Sequence, residues 1–140
     1  MSDPDFQPMI PRFEDTTEYR HLTSEFVETI DIEGRKILKI DPEGITQLAA
    51  KGFSDTSHLL RPAHLKQLAN ILDDPEASEN DRFVAMDLLK NANIAAGRIL
   101  PMCQDTGTAI VMGKKGENVW VDGDDEEAIS EGIRRTYKTD

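Results

Sequence analysis

The chain has 140 residues, 38% of them hydrophobic, and sets 16 Lys and Arg against 27 Asp and Glu for a net charge of −11. A field of that sign repels phosphate backbones and anionic membrane surfaces, so neither nucleic acid nor a membrane is expected as a partner. No stretch approaches the roughly 20 apolar residues that cross a bilayer, no basic-then-apolar leader opens the chain, and the one cysteine, Cys103, cannot close an internal disulfide; the expectation is a soluble, cytoplasmic protein.

Residues 1–20 hold three of the seven prolines and no sustained period, which predicts an extended N-terminal arm. In FVETIDIEGRKILKI the alternation around Val27, Thr29 and Asp31, with Glu33 and Gly34 offering a turn before Lys36 to Ile40, predicts a β-hairpin. Asp41 before Pro42 places a capping carboxylate at a helix start, and Ile45, Leu48 and Ala49 recur at helical spacing, so a helix is expected over 42–52 with Gly52 as its stop. Pro62 and the stripe Leu65, Leu68, Ala69 and Leu72 predict a second helix to Asp73. From Ala77 a third runs to a glycine stop at Gly97, with Met86, Leu88 and Leu89 in the core.

Beyond it, residues 109–112 and 118–121 are short β-prone runs joined by GKKGE, which permits a hairpin-like turn. Trp120 suits a core or interface anchor. The last segment, GDDEEAISEGIRRTYKTD, opens on four acids and closes on Arg134, Arg135 and Lys138, the polarity that a helix macrodipole favours, with Ala128, Ile129, Gly132, Ile133 and Tyr137 as its packed face. The fold class read from these elements is α+β, helices packed with small β-hairpin elements.

The stretch LPMCQDTGTA gathers an amide, a carboxylate and two hydroxyls around the only thiol, whereas a structural cysteine usually sits among apolar neighbours. As a nucleophile Cys103 needs a base, and His21, His58 and His64 are all remote in sequence. A closed zinc site needs several Cys or His at close spacing, which the chain lacks. An iron–sulfur cluster draws its thiolates from separated segments, and this chain offers one. His58 and His64 read as capping or surface residues, Lys114 and Lys115 as a solvated turn tip, and the acids from Asp122 to Glu127 as a helix N-terminus rather than a calcium loop.

The run NANIAAGRILPMCQDTGTAIVMGKKGENVW, with PMCQDTGTA its most specific piece, resembles the N-terminal region of class I fumarate hydratases, the iron–sulfur hydro-lyases that include L(+)-tartrate dehydratase. The likeness is continuous from about Phe53 to Tyr137. It implies that Cys103 is one of three thiolates binding a 4Fe–4S cluster, that Gln104 and Asp105 bind a small dicarboxylate substrate such as fumarate or malate, and that Asp105 takes part in proton transfer. Thr106 and Thr108 would then hydrogen-bond cluster sulfides or fix the turn, and Gly107 would allow close backbone approach.

Family members are considerably longer, and their other cluster cysteines and carboxylate-binding basic residues lie past the point where this chain ends. The resemblance therefore implies that residues 21–140 are the truncated N-terminal part of a fumarase-type α domain, inactive alone and without a cluster. It also implies as partner the rest of the enzyme, as a C-terminal segment or second subunit, in a homodimer. In the isolated piece, apolar surface left uncovered favours self-association. The competing readings are L(+)-tartrate dehydratase, a non-catalytic binding or assembly domain that keeps the motif, and a thiol-dependent hydrolase.

Overall fold

The computed structural model describes residues 17–103 and 108–139. In chain order these form β1 (Val27–Ile32), β2 (Arg35–Ile40), α1 (Pro42–His58), α2 (Pro62–Asp73), α3 (Glu79–Ala95), β3 (Val119–Val121) and α4 (Asp125–Thr139). The class is α+β, as the sequence predicts. Of the N-terminal arm, residues 1–16 lie outside the described residues, and 17–20 form neither helix nor strand.

The chain divides into two compact units, Met1–Tyr19 with Leu60–Asn91, and Arg20–Leu59 with Ala92–Asp140. In the first, Pro62 opens α2 directly after Arg61, whose extended backbone (φ −65°, ψ 143°) is what a following proline imposes. A capping box starts α3: Asp81 N–H donates to Ser78 Oγ at 3.1 Å while Ser78 N–H donates to the Asp81 carboxylate at 2.9 Å.

In the second unit, β1 and β2 pair antiparallel with Ile30 opposite Ile37 and Ile32 opposite Arg35. Their two-residue turn places Glu33 at φ 52° and Gly34 at φ 81°, the left-handed pair that matches strand twist. β3 then adds parallel to β2, Leu38 beside Val119 and Ile40 beside Val121, giving the order β1-β2-β3. Parallel neighbours need a long connection, and α1, α2 and α3 supply it.

Asp41 caps α1 by accepting Glu43 N–H at 2.8 Å, with Pro42 at the first helical position. α1 packs on α4 along a seam of small residues. Ala128 and Gly132 are buried there, and a methyl at Gly132 would stand 2.7 Å from Ala49 Cβ. Two hydroxyls cross the seam, Thr46 Oγ1 donating to Ala128 O at 3.0 Å and Thr136 Oγ1 to Ala50 O at 2.9 Å. Arg135 closes it with a bidentate pair to Glu43 at 2.6 and 3.0 Å.

Several sequence expectations are corrected. Gly52 does not stop α1, which runs to His58. One interior glycine costs only about 1 kcal/mol, and Thr56 and Ser57 hydroxyls bond back to Gly52 O and Phe53 O through the last turns. α3 ends at Ala95, and the left-handed residue beyond it is Arg98 (φ 59°), not Gly97.

Met86 and Leu88 are not core; they are 41% and 45% exposed, and the buried positions of α3 are Ala85, Ala92 and Ala95. The apolar residues of that helix lie on nearly every side, so no single contact face covers them. Residues 109–112 form no strand. Of the two roles expected for Trp120, core and interface anchor, the first is overturned: it is exposed, because alternation puts Val119 and Val121 on one face of the sheet and Trp120 on the other. In α4 the third buried position is Thr136, and Tyr137 is exposed.

Candidate functional site

The turn after α3 carries the thiol toward solvent. Ala96 N–H still donates to Ala92 O at 3.0 Å, Gly97 N–H donates to Ile94 O at 3.1 Å, and Arg98 N–H to Ala95 O at 2.9 Å, so the helix tightens before the chain leaves it at Arg98. Pro101 cannot continue a helix or donate from its backbone. Cys103 follows two residues later and is exposed.

Residues 98–102 are tied to the last turn of α1. An Arg98 guanidinium nitrogen donates to Asp55 Oδ1 at 2.5 Å, another reaches Ser54 Oγ at 3.4 Å, and Met102 N–H donates to Ser57 O at 2.9 Å. The Ser57 carbonyl is one of the acceptors that the end of an α-helix leaves without an intrahelical partner. Asp55 also accepts Arg20 on Oδ2 at 2.5 Å and has the Lys51 ammonium 3.6 Å away. Burial pushes the Asp55 carboxyl up, but the hydrogen bonds from Arg98 and Arg20, with Lys51 alongside, hold it below the usual carboxylate range.

Of the residues singled out in the sequence, Gln104, Asp105, Thr106 and Gly107 lie outside the described residues, and Thr108 is exposed. His58 is not a surface residue. It ends α1, is only 6% exposed, and its Nδ1–H donates to Ser54 O at 2.9 Å. His64 is exposed on α2. Lys115 pairs with Asp125 at the start of α4, so it is not simply a solvated tip. The acids before α4 act as a helix start, with Asp124 Oδ1 accepting Glu126 and Glu127 N–H at 2.8 and 3.2 Å.

Asp55 and Arg98 were not legible as site residues. They stand 43 positions apart, and nothing local in SDTS or AGRI announces the pair.

Residues 109–116 run beside an open apolar groove of about 1200 Å³. Leu38 and Val119 from the sheet, Leu48 and Phe53 from α1 and Ile133 from α4 line it, while Cys103 does not. Among the described residues no group of three or more His, Cys, Asp or Glu is placed to hold a metal ion. An exposed thiol on an anchored turn fits a cluster as the donor of a single thiolate, the remaining ligands having to come from elsewhere. No helix among the described residues is long and apolar enough to cross a membrane.

Comparison with known proteins gives two kinds of agreement. Residues 46–140 match the family model described as fumarate hydratase (Fumerase). The chain is 54% identical over 135 residues to the anaerobic class I fumarate hydratase of Escherichia coli strain K12, covering 96% of this chain and 25% of that protein. It is 53% identical to the aerobic class I enzyme of Salmonella typhimurium (96% and 23%), and 51% identical over 119 residues to the mitochondrial fumarate hydratase 1 of Leishmania major (84% and 22%). The chain therefore spans about a quarter of the length of the relatives it matches.

Proposed function

The chain belongs to the fumarate hydratase (Fumerase) family, and we propose that it forms the N-terminal part of a class I fumarate hydratase, residues 21–140 being the start of its α domain. The whole protein adds water reversibly to fumarate to give L-malate. The observation that carries this reading is the PMCQDTGTA stretch, which sets a thiol, an amide and a carboxylate on consecutive residues just past the anchored turn.

In this reading the Cys103 thiolate is one of the protein ligands of a 4Fe–4S cluster. When bound, such a cluster offers an iron not held by the protein as a Lewis acid for the substrate hydroxyl. Gln104 donates its amide N–H to a substrate carboxylate or hydroxyl and so orients the dicarboxylate. Asp105 takes part in the proton transfer that accompanies the loss or addition of water. The other thiolates and the cations that neutralise the substrate carboxylates come from the rest of the polypeptide or a second subunit. The assembled enzyme is a homodimer in a reducing compartment, the cytoplasm.

The test uses the full-length protein, reconstituted anaerobically with iron and sulfide, wild type beside Cys103→Ser. Visible absorption of the cluster and hydration of fumarate are followed together, with tartrate dehydration assayed in parallel. Wild type is expected to gain the cluster and fumarate activity, and the variant to lose both. A wild type that gains neither overturns the enzyme reading, and activity on tartrate alone replaces the substrate.

A further inference from the structure

We infer that Asp55 and Arg98 are positioning residues for the Cys103 thiol, acting through a strap that fastens residues 98–102 to the last turn of α1. This inference rests on the reading of Cys103 as a cluster ligand. Three observations meet in one turn of helix: Ser54 and Asp55 take the Arg98 guanidinium, and Ser57, two residues on, takes Met102 N–H. The Met102 anchor is one peptide unit from Cys103.

The strap carries the marks of a built feature. Arg98 occupies the left-handed region at φ 59°, which a residue with a side chain rarely adopts, and a glycine stands immediately before it. Such a conformation persists where its surroundings over-determine it. Here the return is a guanidinium aimed at a carboxylate whose other oxygen is already held by Arg20. Both arginines sit at the C-terminal end of α1, where the macrodipole favours cations. Met102 N–H fills an acceptor that the helix end leaves open, so the turn gains a backbone anchor as well as a charged one.

Holding a ligand-bearing turn by three hydrogen bonds to a regular helix restricts where its thiol can stand. Partners that orient metal ligands typically change affinity or activity by about 10- to 100-fold when removed. The strap is assigned to act through the thiol alone, so its loss should act on cluster retention and kcat while leaving KM in place.

The experiment compares full-length wild type with Arg98→Ala, Asp55→Asn, the double variant, Arg98→Lys and the surface control Lys90→Ala. Hydrogen exchange at the Met102 amide is read without a cluster, and loss of visible absorption under a chelator is read after anaerobic reconstitution. Arg98→Ala and Asp55→Asn should each speed Met102 exchange and cluster loss by about tenfold with far-UV circular dichroism unchanged. The double variant should be no worse than either single one. Arg98→Lys should recover part of the loss, and Lys90→Ala should match wild type. Met102 protection or cluster retention equal to wild type in both single variants overturns the inference. If wild type takes up no cluster yet Met102 exchange rises in the variants, the strap stands and the cluster reading falls.

Discussion

Asp41 illustrates how much a single side chain decides near the start of α1. Its carboxylate accepts Glu43 N–H at 2.8 Å, one of the donors that the helix cannot satisfy internally. Asp41→Ala should lower stability by about 1 kcal/mol in denaturant unfolding, whereas Asp41→Asn should cost little. On α4, hydrogen bonds from Arg134 and then Arg135 hold the Glu131 carboxyl down to about 2, and Arg135 also lowers Glu43. A carboxyl lowered in the folded state stabilises it above its unfolded pKa, and that contribution fades as pH falls toward the folded value. Hydrogen-exchange protection on α4, corrected for the intrinsic pH dependence of amide exchange, should therefore be steady at neutral pH and fall between about pH 5 and pH 2. In Arg135→Gln that acid-induced loss of protection should shrink, because the carboxyls are less depressed; an unchanged profile would show that the pair carries no pH dependence. These groups are solvent-exposed, so the effect is small and salt-sensitive.

At the scale of elements, two glycines in helices behave oppositely for a steric reason. At Gly132 a methyl would stand 2.7 Å from Ala49 Cβ and 3.0 Å from Ala50 N. Overpacking of about 1–3 kcal/mol exceeds the roughly 1 kcal/mol of helix propensity that alanine gains, so Gly132→Ala should lower the Tm and Gly132→Leu should lower it further. At Gly52 a methyl meets nothing within 4 Å, and Gly52→Ala should raise stability by about 0.5–1 kcal/mol. Melts of the 140-residue chain decide both signs. Gly52 reads as a stop because glycine commonly follows a helix, yet it lies inside α1, while Gly132 reads correctly as part of a packed face. What separates them is a neighbouring helix, which no local pattern records.

At the scale of the whole molecule, most of the buried hydrophobic side chains among the described residues are small: Ile37, Ala85, Ala92, Ala95 and Ala128. Large apolar residues remain exposed, Leu48 at 63% and Ile110 at 76% among them, and both line the groove of the second unit. Apolar surface of this kind favours association. The 140-residue chain alone should bind an apolar dye and scatter light as a dimer or larger species at micromolar concentration. A monodisperse monomer without dye binding would count against that expectation. The chain spans about a quarter of its relatives' length, and one thiolate cannot hold a cluster, so the isolated chain should neither take up iron and sulfide nor hydrate fumarate.

What the sequence determined by itself is what short-range physics writes locally. The Glu33 and Gly34 turn, the Asp41 and Pro42 start of α1, the Pro62 start of α2 and the acidic start of α4 all follow from backbone conformation and unsatisfied helix donors within a few residues. The PMCQDTGTA stretch stands out in the sequence for the same reason, because its thiol, amide and carboxylate are consecutive side chains. Tertiary structure alone decided the parallel seat of β3 beside β2, the small-residue seam of α1 and α4, and the union of Asp55 with Arg98 across 43 positions. Each of these depends on which distant surfaces meet, and a pairing between remote segments leaves no periodicity in either one.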